Sequence, residues 1–162
     1  MNDSLPSIDS RASFAAAVLA CTQRAIADGA RQIVWVDDDF AEWPLDEPAL
    51  LQSLTAWLRQ PQRRLQMLAL RYEDMALSHP RFAAWRRDWT HAFSAATPEE
   101  GTMVELPTVL YDDTSICMQV FDKQRWRGRC SSDRREVRLW QERLDAVLQR
   151  STPSFTVNPL GL

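Results

Sequence analysis

The sequence predicts an α/β fold, a mixed β-sheet covered by helices on both faces, and two observations carry that prediction. In the first half, amphipathic helical segments alternate with short apolar runs at 32–36 and 65–70, the α-β-α-β pattern of a parallel sheet joined by crossovers. From Met103 onward the period changes to strands separated by Asp-containing turns, and a last amphipathic helix follows. At 162 residues the chain fits one domain spanning 1–162.

Taken in order, Asp9, Ser10 and Ser13 are candidate N-caps for a helix that runs to about Ala27 and stops at Asp28-Gly29. Phe14, Val18, Cys21 and Ala25 recur on it at helical spacing. Gln32 to Val36 is too short for a helix and suits a strand buried on both faces. Asp46 is positioned to cap a second helix that has Pro48 in its first turn, with Leu50, Leu51, Leu54, Trp57 and Leu58 as its apolar stripe. Pro61 stops that helix, and Leu65 to Leu70 reads as a second buried strand.

A short helical turn is expected after Tyr72, and Ser78-His79-Pro80 signals a new helix. Phe82, Trp85, Trp89 and Phe93 share one face of it, and Pro98 and Gly101 are expected to end it. Strands follow at Met103 to Tyr111, Ser115 to Phe121 and Arg125 to Cys130. Asp133, with Glu136 three residues on, opens the last helix as a variant of the capping box, and Val137, Trp140, Leu144, Val147 and Leu148 form its core stripe. The extended tail offers Phe155, Val157, Leu160 and Leu162 to the body of the fold. There is no internal repeat.

Composition excludes several classes. The formal net charge is -3, so the whole molecule advertises neither nucleic-acid nor membrane affinity. No apolar run approaches the roughly 20 residues needed to cross a bilayer. Cys21, Cys117 and Cys130 are odd in number and lack CxxC spacing, which gives neither a disulfide framework nor a zinc knuckle and points to a reducing cytoplasm. Val18-Leu19-Ala20-Cys21 looks like a lipoprotein cleavage box, but the preceding residues carry Asp3 and Asp9 against a single Arg11, the wrong charge for a signal peptide. No spacing of His, Cys, Asp or Glu calls for a cofactor or a metal.

The stretch Glu105-Leu106-Pro107-Thr108-Val109-Leu110-Tyr111-Asp112 has the spacing of a His-x-Lys-x4-Asp motif in which Glu105 stands at the His position, Pro107 at the Lys position, and only Asp112 matches. With the strand pair that follows, Arg125-Trp126-Arg127-Gly128, the helix from Val137 to Leu148 and the closing Leu160-Gly161-Leu162, it resembles small bacterial phospholipase D-like domains. That resemblance implies one half-repeat of the superfamily, and a homodimer if the superfamily interface survives. It also implies a degenerate site. A carboxylate does not replace the nucleophilic histidine, a proline holds no phosphate, and neither His79 nor His91 sits in a His-x-Lys context.

Other residues then carry the functional reading. Ligands of open α/β sheets bind beyond the carboxyl ends of the strands, here Asp37-Asp38-Asp39 and Arg71-Tyr72-Glu73. Asp37 and Asp39 fall on the same side of an extended chain and either hold a hard cation or cap the loop they begin. Trp43 either lids a pocket there or roofs the core. His79 either presents a titratable group or accepts a bond at a helix start, and His91 is expected in solvent. Lys123, Arg125, Arg127 and Arg129 fall on one face of a predicted strand, with Arg134, Arg135 and Arg138 beyond, as an anion stripe or a charge-protected sheet edge.

Three functions follow from these features. The first is a non-catalytic phospholipase D-like module that dimerises and binds or regulates. The second is a divalent-metal enzyme on a phosphorylated substrate, built from Asp37, Asp39, Arg71 and His79. The third is an anion or nucleic-acid binder working through the arginines, which the near-neutral charge disfavours.

Overall fold

The computed structural model describes residues 5–102 and 105–157. Helix α1 (Arg11–Ala27) opens with the predicted chemistry: Ser10 is the N-cap, its hydroxyl accepts from the Ser13 amide, and the Ser13 hydroxyl returns the bond to the Ser10 amide. Asp28 closes the helix, and Gly29 leaves it at φ 86°, a left-handed turn that favours glycine. Strand β1 (Gln32–Val36) has the predicted bounds and is buried from Ile33 on.

Helix α2 (Pro48–Leu58) forms where expected, but its capping is different. Glu47 is the N-cap and makes no side-chain bond, while Asp46 accepts from the Phe82 amide at 3.0 Å and so caps a neighbouring helix instead. Strand β2 (Arg64–Leu68) is followed by two short helices, α3 (Met75–Ser78) and α4 (Pro80–Trp85), with a 3₁₀ turn at Arg86–Trp89.

The expected helix through Phe93 to Pro98 is instead a strand, β3 (Phe93–Pro98), parallel to β2. Phe93 keeps the helical spacing of Phe82 and Trp89 and yet belongs to the sheet, and the small residues Ser94, Ala95 and Ala96 gave no β-branched signal. The strand lies between β2 and a tail strand, so tertiary pairing overrides local propensity.

Strands β4 (Thr108–Asp112), β5 (Cys117–Asp122) and β6 (Arg127–Ser131), helix α5 (Arg134–Gln149) and the short β7 (Ser151–Pro153) complete the chain. Arg125, expected in a strand, lies in the turn before β6. The Met103 start predicted for β4 and the tail residues Leu160, Gly161 and Leu162 lie outside the described residues.

The sheet has the order β6-β5-β4-β1-β2-β3-β7. Strands β1, β2 and β3 are parallel, and β4, β5, β6 and β7 each run antiparallel to their neighbours. Helices lie on both faces. One face carries α1, α2 and α4 over a core containing Phe14, Trp35, Leu54 and Phe82. The other carries α5, whose Val137 and Leu144 are buried against Val34, Val109 and Tyr111.

The tail is pinned as expected of Phe155. Its ring stacks on Tyr72, with centroids 5.4 Å apart, and the Arg86 guanidinium lies 3.7 Å from the ring centroid.

Candidate functional site

Because β1 and β4 are antiparallel, the end of β1 and the start of β4 meet at the same end of the sheet's strands. There the chain forms a cavity of about 290 Å³. Its acidic side is Asp37, Asp38, Asp39 and Glu42, its aromatic side Phe14, Trp43 and Trp126, and Arg71, Thr108 and Lys123 complete it.

Each carboxylate of the β1 end is held in a definite way. Asp37 is the most buried. One oxygen accepts from the Thr108 hydroxyl and the other from the Phe40 amide at 2.8 Å. Asp38 accepts from the Leu106 amide at 2.7 Å, and Asp39 accepts from the Ala41 amide at 3.0 Å. Phe40 takes a left-handed backbone, φ 60°, which lets the loop fold back on Asp37.

Two cations close the arrangement. Arg71 lies 3.8 Å from Asp39. Lys123 reaches in from the β5–β6 turn, 3.3 Å from Asp38, 3.8 Å from Asp37 and 3.2 Å from the Leu106 carbonyl. Glu42 pairs with Arg11. The lining therefore holds four carboxylates against two cations of its own. Trp126, at φ 53°, sits against Phe14 with ring centroids 4.9 Å apart, and Trp43 packs edge-on to both Phe14 and Phe40.

Of the residues singled out in the sequence, Asp37, Asp39, Trp43 and Arg71 line this cavity together. Tyr72 and His79 do not. The Tyr72 hydroxyl donates to the Ala96 carbonyl at 2.8 Å, and burial raises its pKa. His79 is buried, and its Nε2–H donates to the Phe40 carbonyl at 2.8 Å, so it braces the acidic loop from behind. Trp43 is 2% exposed, closer to a core roof than to a mobile lid. His91 is exposed, as expected.

The stretch that the sequence offered as a degenerate motif is divided between opposite ends of β4. Glu105 is exposed and Pro107 half-buried beside the cavity, whereas Asp112 is at the far end, 1% exposed. Asp112 accepts from the Thr114 and Ile116 amides at 2.9 Å each and from the Thr114 hydroxyl at 2.5 Å, which locks the β4–β5 turn. Burial raises its pKa above the usual carboxylate range, against the pull of those donors.

The arginine stripe is also divided. Lys123 belongs to the cavity, Arg125 to the turn, and only Arg127 and Arg129 to β6. Arg129 is paired with Glu136, while Arg127 and Arg135 are exposed.

Sequence reasoning missed Phe14, Asp38, Glu42, Thr108, Trp126 and the true place of Lys123. Lys123 is the only lysine of the chain, and that singularity was the one available signal. Among the described residues, no group of three or more His, Cys, Asp or Glu side chains is arranged to hold a metal ion. No described helix is long and apolar enough to cross a membrane.

Solved structures resolve the fold. The chain superposes on Nuc of Salmonella typhimurium, a phospholipase D family member, with a TM-score of 0.51 and 10% identity over 82% of this chain and 88% of that one. The fold is phospholipase D-like. Phosphatidylserine synthase of Haemophilus influenzae Rd KW20 matches with a TM-score of 0.55 and 10% identity over 92% of this chain and 38% of the synthase. TrmBL2, an archaeal chromatin protein with a novel mode of DNA binding, matches with a TM-score of 0.55 and 11% identity over 82% of this chain. The chain spans about half of TrmBL2, 48% of its length. No protein-family model matches the sequence, and no curated protein does.

Proposed function

We propose that this chain is a non-catalytic phospholipase D-like binding module whose ligand, a small organic cation, occupies the cavity at the end of β1. One observation carries the reading. The cavity in which Asp37, Asp39, Trp43 and Arg71 converge joins an excess of carboxylates to the aromatic side chains of Phe14, Trp43 and Trp126. Carboxylates and aromatic faces together attract a positive charge, since both present negative potential to it.

Catalysis of the superfamily type has no support. The His and Lys positions of the motif are Glu105 and Pro107, and Asp112 lies at the other end of the strand. The metal-enzyme alternative is weakened by the way Asp37 and Asp39 direct their oxygens to backbone amides.

Thermal unfolding of the full chain with choline, spermidine or adenosine monophosphate tests the reading. Specific binding to the native state raises the melting temperature. The cations should stabilise and the nucleotide should not, and Asp38→Asn should remove the effect. Stabilisation by the nucleotide alone would transfer the site to an anionic ligand.

A dimer is the part of the proposal that rests on the superfamily resemblance, and light scattering on the full chain reads it directly. TrmBL2 favours a nucleic-acid reading through Arg125, Arg127 and Arg135. An association with DNA that weakens as salt rises would support it, and no association at low ionic strength would dismiss it.

A further inference from the structure

Cys21 and Cys130 are distant in sequence and belong to neither the cavity nor the degenerate motif, yet the fold brings them together. Cys130 is the register partner of Met118, whose side chain lies in the core under α1, so Cys130 faces the same side of the sheet. Helix α1 runs over that side: Phe14 meets Trp126 at its start, and Cys21, two turns on, is wholly buried in the same core. Cys117 is in the same hairpin but belongs to the core on the opposite face. Cys130 is only half-buried and lies on the edge strand of the sheet.

We propose that Cys21 and Cys130 are a redox pair that closes to a disulfide when a hydroperoxide oxidises Cys130, fastening α1 to the edge strand β6. The Cys130 sulfur attacks the peroxide oxygen and becomes a sulfenic acid, and hydrogen peroxide releases its other oxygen as water once protonated. The Cys21 sulfur then forms the S–S bond as the sulfenic hydroxyl leaves with the Cys21 proton as a second water. Two thiols lose two electrons, and one peroxide is reduced to two waters.

The local chemistry agrees with that division of labour. The neighbouring Cys21 lowers the pKa of Cys130 toward the thiolate, and Cys130 together with burial raises that of Cys21. Cys117 is unsuited to either part, because it lies in the core on the opposite face of the sheet from Cys21 and Cys130.

The bond would also restrain the turn that carries Lys123 and Trp126 to the cavity. That consequence rests on the cavity being the ligand site, whereas the bond itself does not.

The experiment treats the full chain with hydrogen peroxide, then counts free thiols and maps peptides without reduction. The expected result is a fall from three free thiols to one, a linked peptide pair containing Cys21 and Cys130, and a melting temperature raised by about 5–10 °C. A Cys117→Ser chain should form the same link, and a Cys21→Ser chain should leave Cys130 as a sulfenic acid that dimedone captures. Oxidation of Cys130 to the sulfinic acid with Cys21 still a free thiol would overturn the proposal. So would a linkage through Cys117 or between copies of the chain. Absence of cation binding in both the reduced and the oxidised chain, with the disulfide formed, would count against the cavity reading alone.

Discussion

Two acidic turns end two neighbouring strands, β1 and β4, and because those strands are antiparallel the turns lie at opposite ends of the strands. At the β4 end, Asp112 accepts from two amides and a hydroxyl within its own turn, and Asp113 accepts from the Arg31 amide at 3.0 Å. Their oxygens are committed to the backbone. At the β1 end, Asp37, Asp38 and Asp39 also accept backbone or hydroxyl bonds, but each meets a cation as well, and all three face a cavity. The contrast teaches that carboxylate density does not mark a site. What distinguishes the β1 end is residual charge beside aromatic walls.

The sharpest way to break the contrast is to remove Asp112. Asp112→Ala should cost about 2–4 kcal/mol in urea unfolding, since a charged acceptor is lost and two amides are left in a closed turn. Asp112→Asn keeps an acceptor for the amides and should cost about 1 kcal/mol or less at neutral pH. The pH dependence has a defined sign. Asp112 has a folded-state pKa above its unfolded value, so the native state binds its proton more readily and stability gains as pH falls through the raised value. The difference between the natural chain and Asp112→Asn should therefore shift in favour of the natural chain on acidification. A flat difference would mean that the turn donors balance burial, and a shift the other way that they outweigh it.

The same contrast explains what was legible in the sequence. Capping residues and apolar stripes act locally, so α1, β1 and α5 could be read from their own segments, down to Ser10 and Asp133 as caps. The strand β3 could not, because its identity comes from pairing with β2 and β7 rather than from its small side chains. At the site, Asp37, Asp39, Trp43 and Arg71 were found through the rule that ligands gather at strand ends. Phe14, Thr108 and Lys123 were not, because helix, strand and turn bring them together only through tertiary contacts. Asp46 capping α4 instead of α2 is a smaller instance of the same thing.

At the cavity end, Asp38→Ala should have the next largest effect. It removes the acceptor of the Leu106 amide and the closer partner of Lys123. A loss of about 1–2 kcal/mol in stability is expected, together with loss of the cation-dependent rise in melting temperature. Lys123→Met tests the residual charge from the other side. Its amine is a partly exposed ion-pair partner, so stability should change by less than about 1 kcal/mol. Removing a like charge at this range should tighten cation binding roughly fivefold, read by calorimetry at low salt. Unchanged affinity would place the ligand's charge away from the Asp38 side.

Arg71→Ala should have the smallest effect on folding. Its pair with Asp39 is 3.8 Å long, with 52% of the arginine side chain and 40% of the aspartate side chain exposed to solvent. Such pairs contribute about 0–1 kcal/mol and are screened by salt, so the melting temperature should move by no more than about 4 °C. The Ala41 amide still holds Asp39 in place, so the variant leaves the loop intact and changes only the charge at the rim. If cation binding strengthens in Arg71→Ala as it does in Lys123→Met, the β1 carboxylates act together as one negative field over the cavity. If only Lys123 matters, binding is confined to the Asp37–Asp38 side and Asp39 belongs with Asp112, as a carboxylate committed to its own turn.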